Sequence, residues 1–235
     1  MTIERKHYII GGLIIALALA LQPFALLFTQ MNLAPSLVPM LTGTNVDGTT
    51  SVEGREISTA NLKLRGNPQA EIVLVEFSDY ECPFCQRFHE APKNIVANSN
   101  GKVAWAWKHF PLSFHPQAEP TAIAAECVFK FGGAEKFWEY SDIMITNQAK
   151  LTDAVRASEA LKLGINGPNF SACLSDAQSK TNVTNELNEG SALGVNGTPN
   201  TFIVKNEGGK YTILESINGA LPQETVEAAV MKYLK

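Results

Sequence analysis

The stretch Ile72-Val73-Leu74-Val75-Glu76-Phe77-Ser78-Asp79-Tyr80-Glu81-Cys82-Pro83-Phe84-Cys85 decides the fold. Its opening, Ile72 to Phe77, is a near-continuous apolar run of strand length, preceded by the turn signal Gly66-Asn67-Pro68. Such a run suits a central strand covered on both faces. The residues after Cys82 predict a helix to about Asn98. Pro83 falls in its first turn, where a missing N–H costs nothing. Two cysteines at i and i+3 therefore stand where a strand runs into a helix.

Outward from this junction, Val103–Phe110 predicts a second strand. From Pro116 to about Gly194 the pattern is helical, with segments at Ala118–Phe131, Ala134–Asn147, Thr152–Leu163 and Phe170–Leu193, the last being one helix or two. Strands return at Thr201–Lys205 and Tyr211–Ile217 around Glu207-Gly208-Gly209, a hairpin signal, and an amphipathic helix closes the chain from Gln223 to Leu234. The order βαβ, helical block, ββα is α/β with an all-helical insertion. The expected parts are a first domain segment at 59–111, the insertion at 112–193 and a second domain segment at 194–235.

The chain has 235 residues, 45% hydrophobic and 18% charged, enough for a substantial core. Lys plus Arg number 19 against 23 for Asp plus Glu, leaving no basic excess to neutralise nucleic-acid phosphates. Four cysteines are too few for a disulfide-dense miniprotein.

Tyr8 to Phe28 carries no charge and one strongly polar side chain, Gln22. As a helix this run is about 31 Å long, close to the thickness of a bilayer's hydrocarbon core. Residues 1–30 are thus expected to be a transmembrane anchor, the alternative being a signal peptide cleaved after Ala18-Leu19-Ala20. In both readings Arg5 and Lys6 stay inside and the rest lies outside the cytoplasmic membrane, where disulfides persist. Residues 31–58, rich in Thr, Gly, Ser, Pro and Asn, read as a flexible tether, with a short strand or turn near Arg55–Ile57 left open.

Cys82-Pro83-Phe84-Cys85 carries the chemistry. At a helix start, unpaired backbone N–H groups and the positive end of the helix dipole stabilise a thiolate. A stabilised thiolate is both nucleophile and leaving group, as thiol–disulfide exchange requires. Cys85, one turn in, would be the resolving thiol. A zinc site lacks a second ligand pair, and a purely structural bridge across so small a loop would stabilise little.

Together with Leu64-Arg65-Gly66-Asn67-Pro68, His109-Phe110-Pro111-Leu112, His115-Pro116-Gln117-Ala118, Phe137-Trp138-Glu139 and Gly194-Val195-Asn196-Gly197-Thr198-Pro199, this motif resembles the DsbA-like thiol:disulfide oxidoreductases of the thioredoxin superfamily, over about Leu64 to Leu234. The resemblance implies a thioredoxin-like fold with a helical insertion. It implies Cys82 as nucleophile, Cys85 as resolving thiol, Pro199 as a cis-proline beside them, and Glu76 as a buried acid relaying protons to Cys85. From the residues alone, Gly197-Thr198-Pro199 reads only as a turn, and Glu76 could also be an exposed strand-end residue. Pro83, Phe84 and Thr198 are the expected substrate contacts. The family's strongest oxidants carry histidine where Phe84 stands, so a potential between roughly −270 and −120 mV is expected. Asn200 also departs from the Thr that often follows the cis-proline.

The implied activity is extracytoplasmic introduction of disulfides into exported polypeptides, with no cofactor beyond the cysteine pair and a quinone-linked membrane oxidase of the DsbB or VKOR type as partner. The alternatives are a disulfide isomerase or reductase on the same fold and a non-catalytic binding module.

Cys127 and Cys173 complete an even cysteine count, so a structural disulfide is expected, two unpaired thiols or a second redox pair being the alternatives. His89 is expected to be a solvated helix residue, and His109 and His115 to cap or pack. Trp105, Trp107, Phe129, Phe131, Phe137 and Trp138 are expected in the core and at the junction with the insertion.

Overall fold

The computed structural model describes residues 51–234. The expected membrane segment at 1–30 and the tether as far as residue 50 lie outside the described residues. Among the described residues no helix is long and apolar enough to cross a membrane.

Six strands, β1 (Glu56–Ile57), β2 (Lys63–Gly66), β3 (Ile72–Ser78), β4 (Val103–His109), β5 (Asn200–Glu207) and β6 (Lys210–Asn218), form one sheet in the order β1-β6-β5-β3-β4-β2. β3 pairs parallel with β4 and antiparallel with β5, so the cysteine-bearing segment leaves from the sheet's centre. Every residue of β3 is buried, as its continuous apolar run requires. Its side chains alternate between two cores. Ile72 and Leu74 join Trp105 and Trp107 beneath the helices, while Val73, Val75 and Phe77 join Ala104, Ala106 and Phe202 on the opposite face. The β5–β6 hairpin turns at Gly208 and Gly209, both at positive φ, which a tight two-residue turn demands.

The helix after Cys82 is two helices, α1 (Pro83–Phe88) and α2 (Glu90–Asn98), meeting at His89. The insertion supplies α3 (Ala118–Thr146), α4 (Asp153–Lys162), α5 (Gly167–Leu174) and α6 (Ala177–Ala192), and α7 (Gln223–Met231) ends the described chain. Gly132-Gly133 marks a kink inside α3, where Gly133 has φ 69°. The segment read as one helix or two from Phe170 is two, because Asp176 caps α6 through its side chain and the Gln178 N–H. The insertion docks on the sheet through aromatic contacts, with Trp138 4.3 Å from Trp105 between ring centroids. At Gly190, α6 approaches so closely that an added Cβ would lie 2.7 Å from Phe77.

The short strand left open near Arg55–Ile57 within the expected tether is present: β1 pairs with β6, and Ile57 is buried because it reaches the apolar core on the far face. Three expectations change. Lys63–Gly66, read only as motif, is an edge strand on β4. His89 is buried rather than solvated, held by a carboxylate across the junction with α3. Phe131, expected to pack, is 43% exposed, since it sits just before the kink and faces outward.

Candidate active site

Cys82 is the N-cap residue of α1, with extended backbone angles, and Pro83 occupies the first helical position. That arrangement leaves the N–H groups of Phe84 and Cys85 free to point at the Cys82 sulfur. Both cysteines are unbonded thiols, Cys82 3% and Cys85 1% exposed. The Thr198–Pro199 peptide bond is cis, and the Thr198 carbonyl oxygen lies 3.3 Å from Cys82 Sγ, where it accepts a hydrogen bond from the protonated thiol. The structure thus brings together the CxxC pair and the Thr198-Pro199 loop from segments 116 residues apart.

The two sulfurs differ in their electrostatics. A hydrogen bond from the Cys85 thiol is the largest influence on Cys82. It outweighs partial burial, and with help from Thr198 and the backbone N–H groups of Cys85 and Phe84 it lowers the Cys82 pKa to about 6. Cys85 goes the other way: burial first, then its donation to Cys82 and the nearby charges of Glu76 and Cys82, push its thiol well above the ordinary range. The pair divides into an ionised outer sulfur and a protonated inner one at neutral pH.

Glu76 lies beneath them on β3, fully buried. Burial raises its pKa to about 8 against the opposing influence of the Ser78 hydroxyl and of Trp105, whose indole Nε1 donates to Oε2 at 3.1 Å. It is a protonated acid at neutral pH and the alternative of an exposed strand end is set aside.

The loop entering α1 is held by carboxylates. Asp79 is buried; its Oδ1 accepts from the Glu81 N–H at 2.7 Å, and its Oδ2 accepts from the Leu112 N–H at 2.8 Å and lies 2.8 Å from His115 Nδ1. Glu81 accepts a short hydrogen bond from the Gln117 N–H. Tyr80 stacks on Trp107, with ring centroids 4.9 Å apart, and its hydroxyl is 2.7 Å from Ser141 Oγ. From the far end of the insertion, Gln148 Nε2 donates to the Cys82 carbonyl oxygen at 2.8 Å, and Gln86 Nε2 donates to the Thr146 carbonyl oxygen at 2.9 Å. Sequence reasoning missed both glutamines, and no local pattern marks them.

Phe84 is 52% exposed, and the Arg87 guanidinium lies 4.9 Å from its ring centroid. It leaves an apolar surface next to Cys82, bordered by the Arg87 cation. Pro83 is also exposed and Thr198 is half-buried. His89 packs 5.0 Å from Trp105 between ring centroids and reaches Asp142, which also pairs with Arg65.

Cys127 and Cys173 form a disulfide inside the insertion, with a Cα–Cα distance of 5.8 Å. His109, Glu126 and Glu186 bring three ligand atoms within 4.8 Å of one another. The cation serving them is Lys63, fully buried, in ion pairs with both carboxylates, to Glu186 at 2.6 Å. Burial acts to lower its pKa, yet Glu186 and Glu126 outweigh this and raise it.

A sheet whose central strand delivers a CxxC motif to a helix start, facing a cis-proline loop, defines the thioredoxin class of proteins. The family model described as Thioredoxin matches residues 59–232, and the chain belongs to that family. Its fold is that of the DsbA-like thiol:disulfide oxidoreductases. DsbA2 of Pseudomonas aeruginosa superposes with a TM-score of 0.59 at 24% identity, covering 72% of this chain and 91% of that one. Alpha-DsbA1 of Wolbachia pipientis does so with a TM-score of 0.64 at 20% identity, covering 75% and 92%. Among curated proteins, a Na+/H+ antiporter NhaA of Salinispora arenicola is 28% identical over 160 residues, 67% of this chain and 24% of the antiporter. The chain spans about a quarter of the length of the curated relatives it matches.

Proposed function

We propose that the protein is an extracytoplasmic, membrane-anchored oxidase of protein thiols, which introduces disulfides into exported polypeptides through Cys82 and Cys85. The observation that carries this reading is the placement of Cys82 at the N-cap of α1 against Thr198, with Cys85 buried one turn in, a setting that lowers the Cys82 pKa to about 6 and pushes Cys85 well up. A stabilised Cys82 thiolate stabilises the reduced enzyme, and so makes its disulfide the stronger oxidant.

A substrate thiolate attacks Cys82 Sγ of the Cys82–Cys85 disulfide. The S–S bond breaks, its electron pair passes to Cys85 Sγ, and a proton reaches that sulfur from the protonated Glu76 carboxyl. A second substrate thiol, deprotonated to solvent, attacks the substrate sulfur of the mixed disulfide, and Cys82 leaves as a thiolate. The substrate has lost two electrons and the enzyme has gained them. Thr198 and Pro199 align the incoming strand as the family resemblance implies, and the exposed Phe84 and Pro83 meet apolar substrate side chains. A quinone-linked oxidase of the DsbB or VKOR type would reoxidise the pair, with residues 1–30 holding the enzyme at the membrane where that partner resides.

Equilibration of the protein with glutathione buffers tests the direction of transfer. A potential well above roughly −270 mV, toward −120 mV, supports oxidation, and one at or below roughly −270 mV makes the protein a reductant. Disulfide formation in a reduced model substrate should disappear with Cys82→Ser; if it persists, the CxxC pair is not the reacting group.

A further inference from the structure

Resting on the assignment of Glu76 as the internal acid, we infer that the Ser78 hydroxyl is the relay through which the proton passes between Glu76 and Cys85. Glu76 and Ser78 are two residues apart on β3, so their side chains leave the same face of the sheet, the face on which α1 and Cys85 pack. Ser78 is 2% exposed, and neither its Oγ nor Glu76 Oε1 has a well-aligned hydrogen-bond partner. Two buried oxygens left in this state are costly unless they serve each other or a third group. The third group is Cys85, which packs on the same face of the sheet, and the Ser78 hydroxyl favours the anionic forms of both Glu76 and Cys85. The titratable group acting on Glu76 is Cys82, and those acting on Cys85 are Glu76 and Cys82.

A hydroxyl between two such groups can donate and accept at once. As the Cys82–Cys85 bond breaks, the Ser78 Oγ–H proton goes to Cys85 Sγ while the Glu76 carboxyl proton goes to Ser78 Oγ. Serine ends as it began, Cys85 is a neutral thiol and Glu76 a carboxylate, so one negative charge has moved from sulfur to oxygen. Reoxidation runs the same transfers backwards. Thr201, the cross-strand partner of Glu76, is also buried with an unpaired hydroxyl and is the competing route.

The test is reduction of the Cys82–Cys85 disulfide by dithiothreitol in the full chain, quenched by acid and read by alkylation from pH 5 to 9. Ser78→Ala should slow it about tenfold and flatten the part of the pH profile that Glu76→Gln flattens, a share of the usual general acid–base contribution. Ser78→Thr, which keeps a hydroxyl, should restore the rate to within about twofold of wild type. The Ser78→Ala/Glu76→Gln double variant should be no slower than Glu76→Gln alone, because both act on one proton. The Cys82 alkylation profile should not move in Ser78→Ala or Ser78→Thr, because Ser78 does not act on Cys82. Wild-type rates in Ser78→Ala with a slow Glu76→Gln overturn the relay and leave the acid in place; slowing confined to Thr201→Val assigns the route to Thr201 instead. Wild-type rates in both Ser78→Ala and Glu76→Gln overturn the acid itself. Multiplied losses in the double variant show independent roles and overturn the relay.

Discussion

The molecule holds two cysteine pairs, and their surroundings send them to different ends. Cys82 caps a helix start, with N–H groups, the Cys85 thiol and Thr198 turned toward its sulfur. Cys127 lies in the interior of α3, where the helix consumes its own N–H groups, and Cys173 lies at the C-terminal end of α5, where the helix dipole opposes negative charge. The first setting favours a thiolate that leaves readily. The second favours a bond that stays closed. Neither outcome is written in the cysteines themselves.

The sharpest way to break this contrast is Cys82→Ser, which should reduce thiol–disulfide exchange by about a thousandfold or more, measured as catalysed oxidation of a reduced substrate. Replacing Cys127 and Cys173 by alanine should leave exchange intact but lower stability by about 4 kcal/mol, read from denaturant unfolding of the oxidised protein, since 46 residues separate the pair. Equal loss of exchange in both variants would erase the distinction.

A third test uses pH. Folding lifts Glu76 from the ordinary carboxyl range to about 8, so the folded state binds its proton more tightly than the unfolded chain. The associated stability is full below about pH 4.5 and is lost as pH rises toward about 8. In the oxidised protein, whose active-site cysteines do not titrate, wild-type stability should fall across that window while Glu76→Gln stays nearly flat. The smallest effect should come from Gln148→Ala, which removes one neutral hydrogen bond to the Cys82 carbonyl and should cost about 1 kcal/mol, with a few-fold change in Cys82 alkylation rate at most.

The sequence makes the centre of the fold easy to read and its periphery hard. β3 declares itself because burial on both faces demands an unbroken apolar run, and Pro83 fixes the helix start. Glu76 is legible as a lone charge inside that run, though its function rests on family likeness. β2 is not legible, because its Lys63 points inward to acids contributed from α3 and α6, the second of them 123 residues away. An inward lysine contradicts the usual pattern until its partners are known. His89 escapes for the same reason, its carboxylate lying 53 residues downstream. Ser78 carries no signal beyond its place two residues after the acid. What the sequence withholds is long-range polar pairing, which leaves no period in the chain.

The Lys63 cluster governs how the insertion meets the sheet. Apolar faces tolerate many small rotations and slides, whereas an ammonium enclosed with two carboxylates from different helices has a single satisfactory arrangement, because any misalignment strands a charge away from water. Docking of α3 and α6 on β2 is therefore keyed rather than merely sticky, and a chain that collapses with the helices askew is disfavoured against the one seating that pairs the ammonium with both carboxylates.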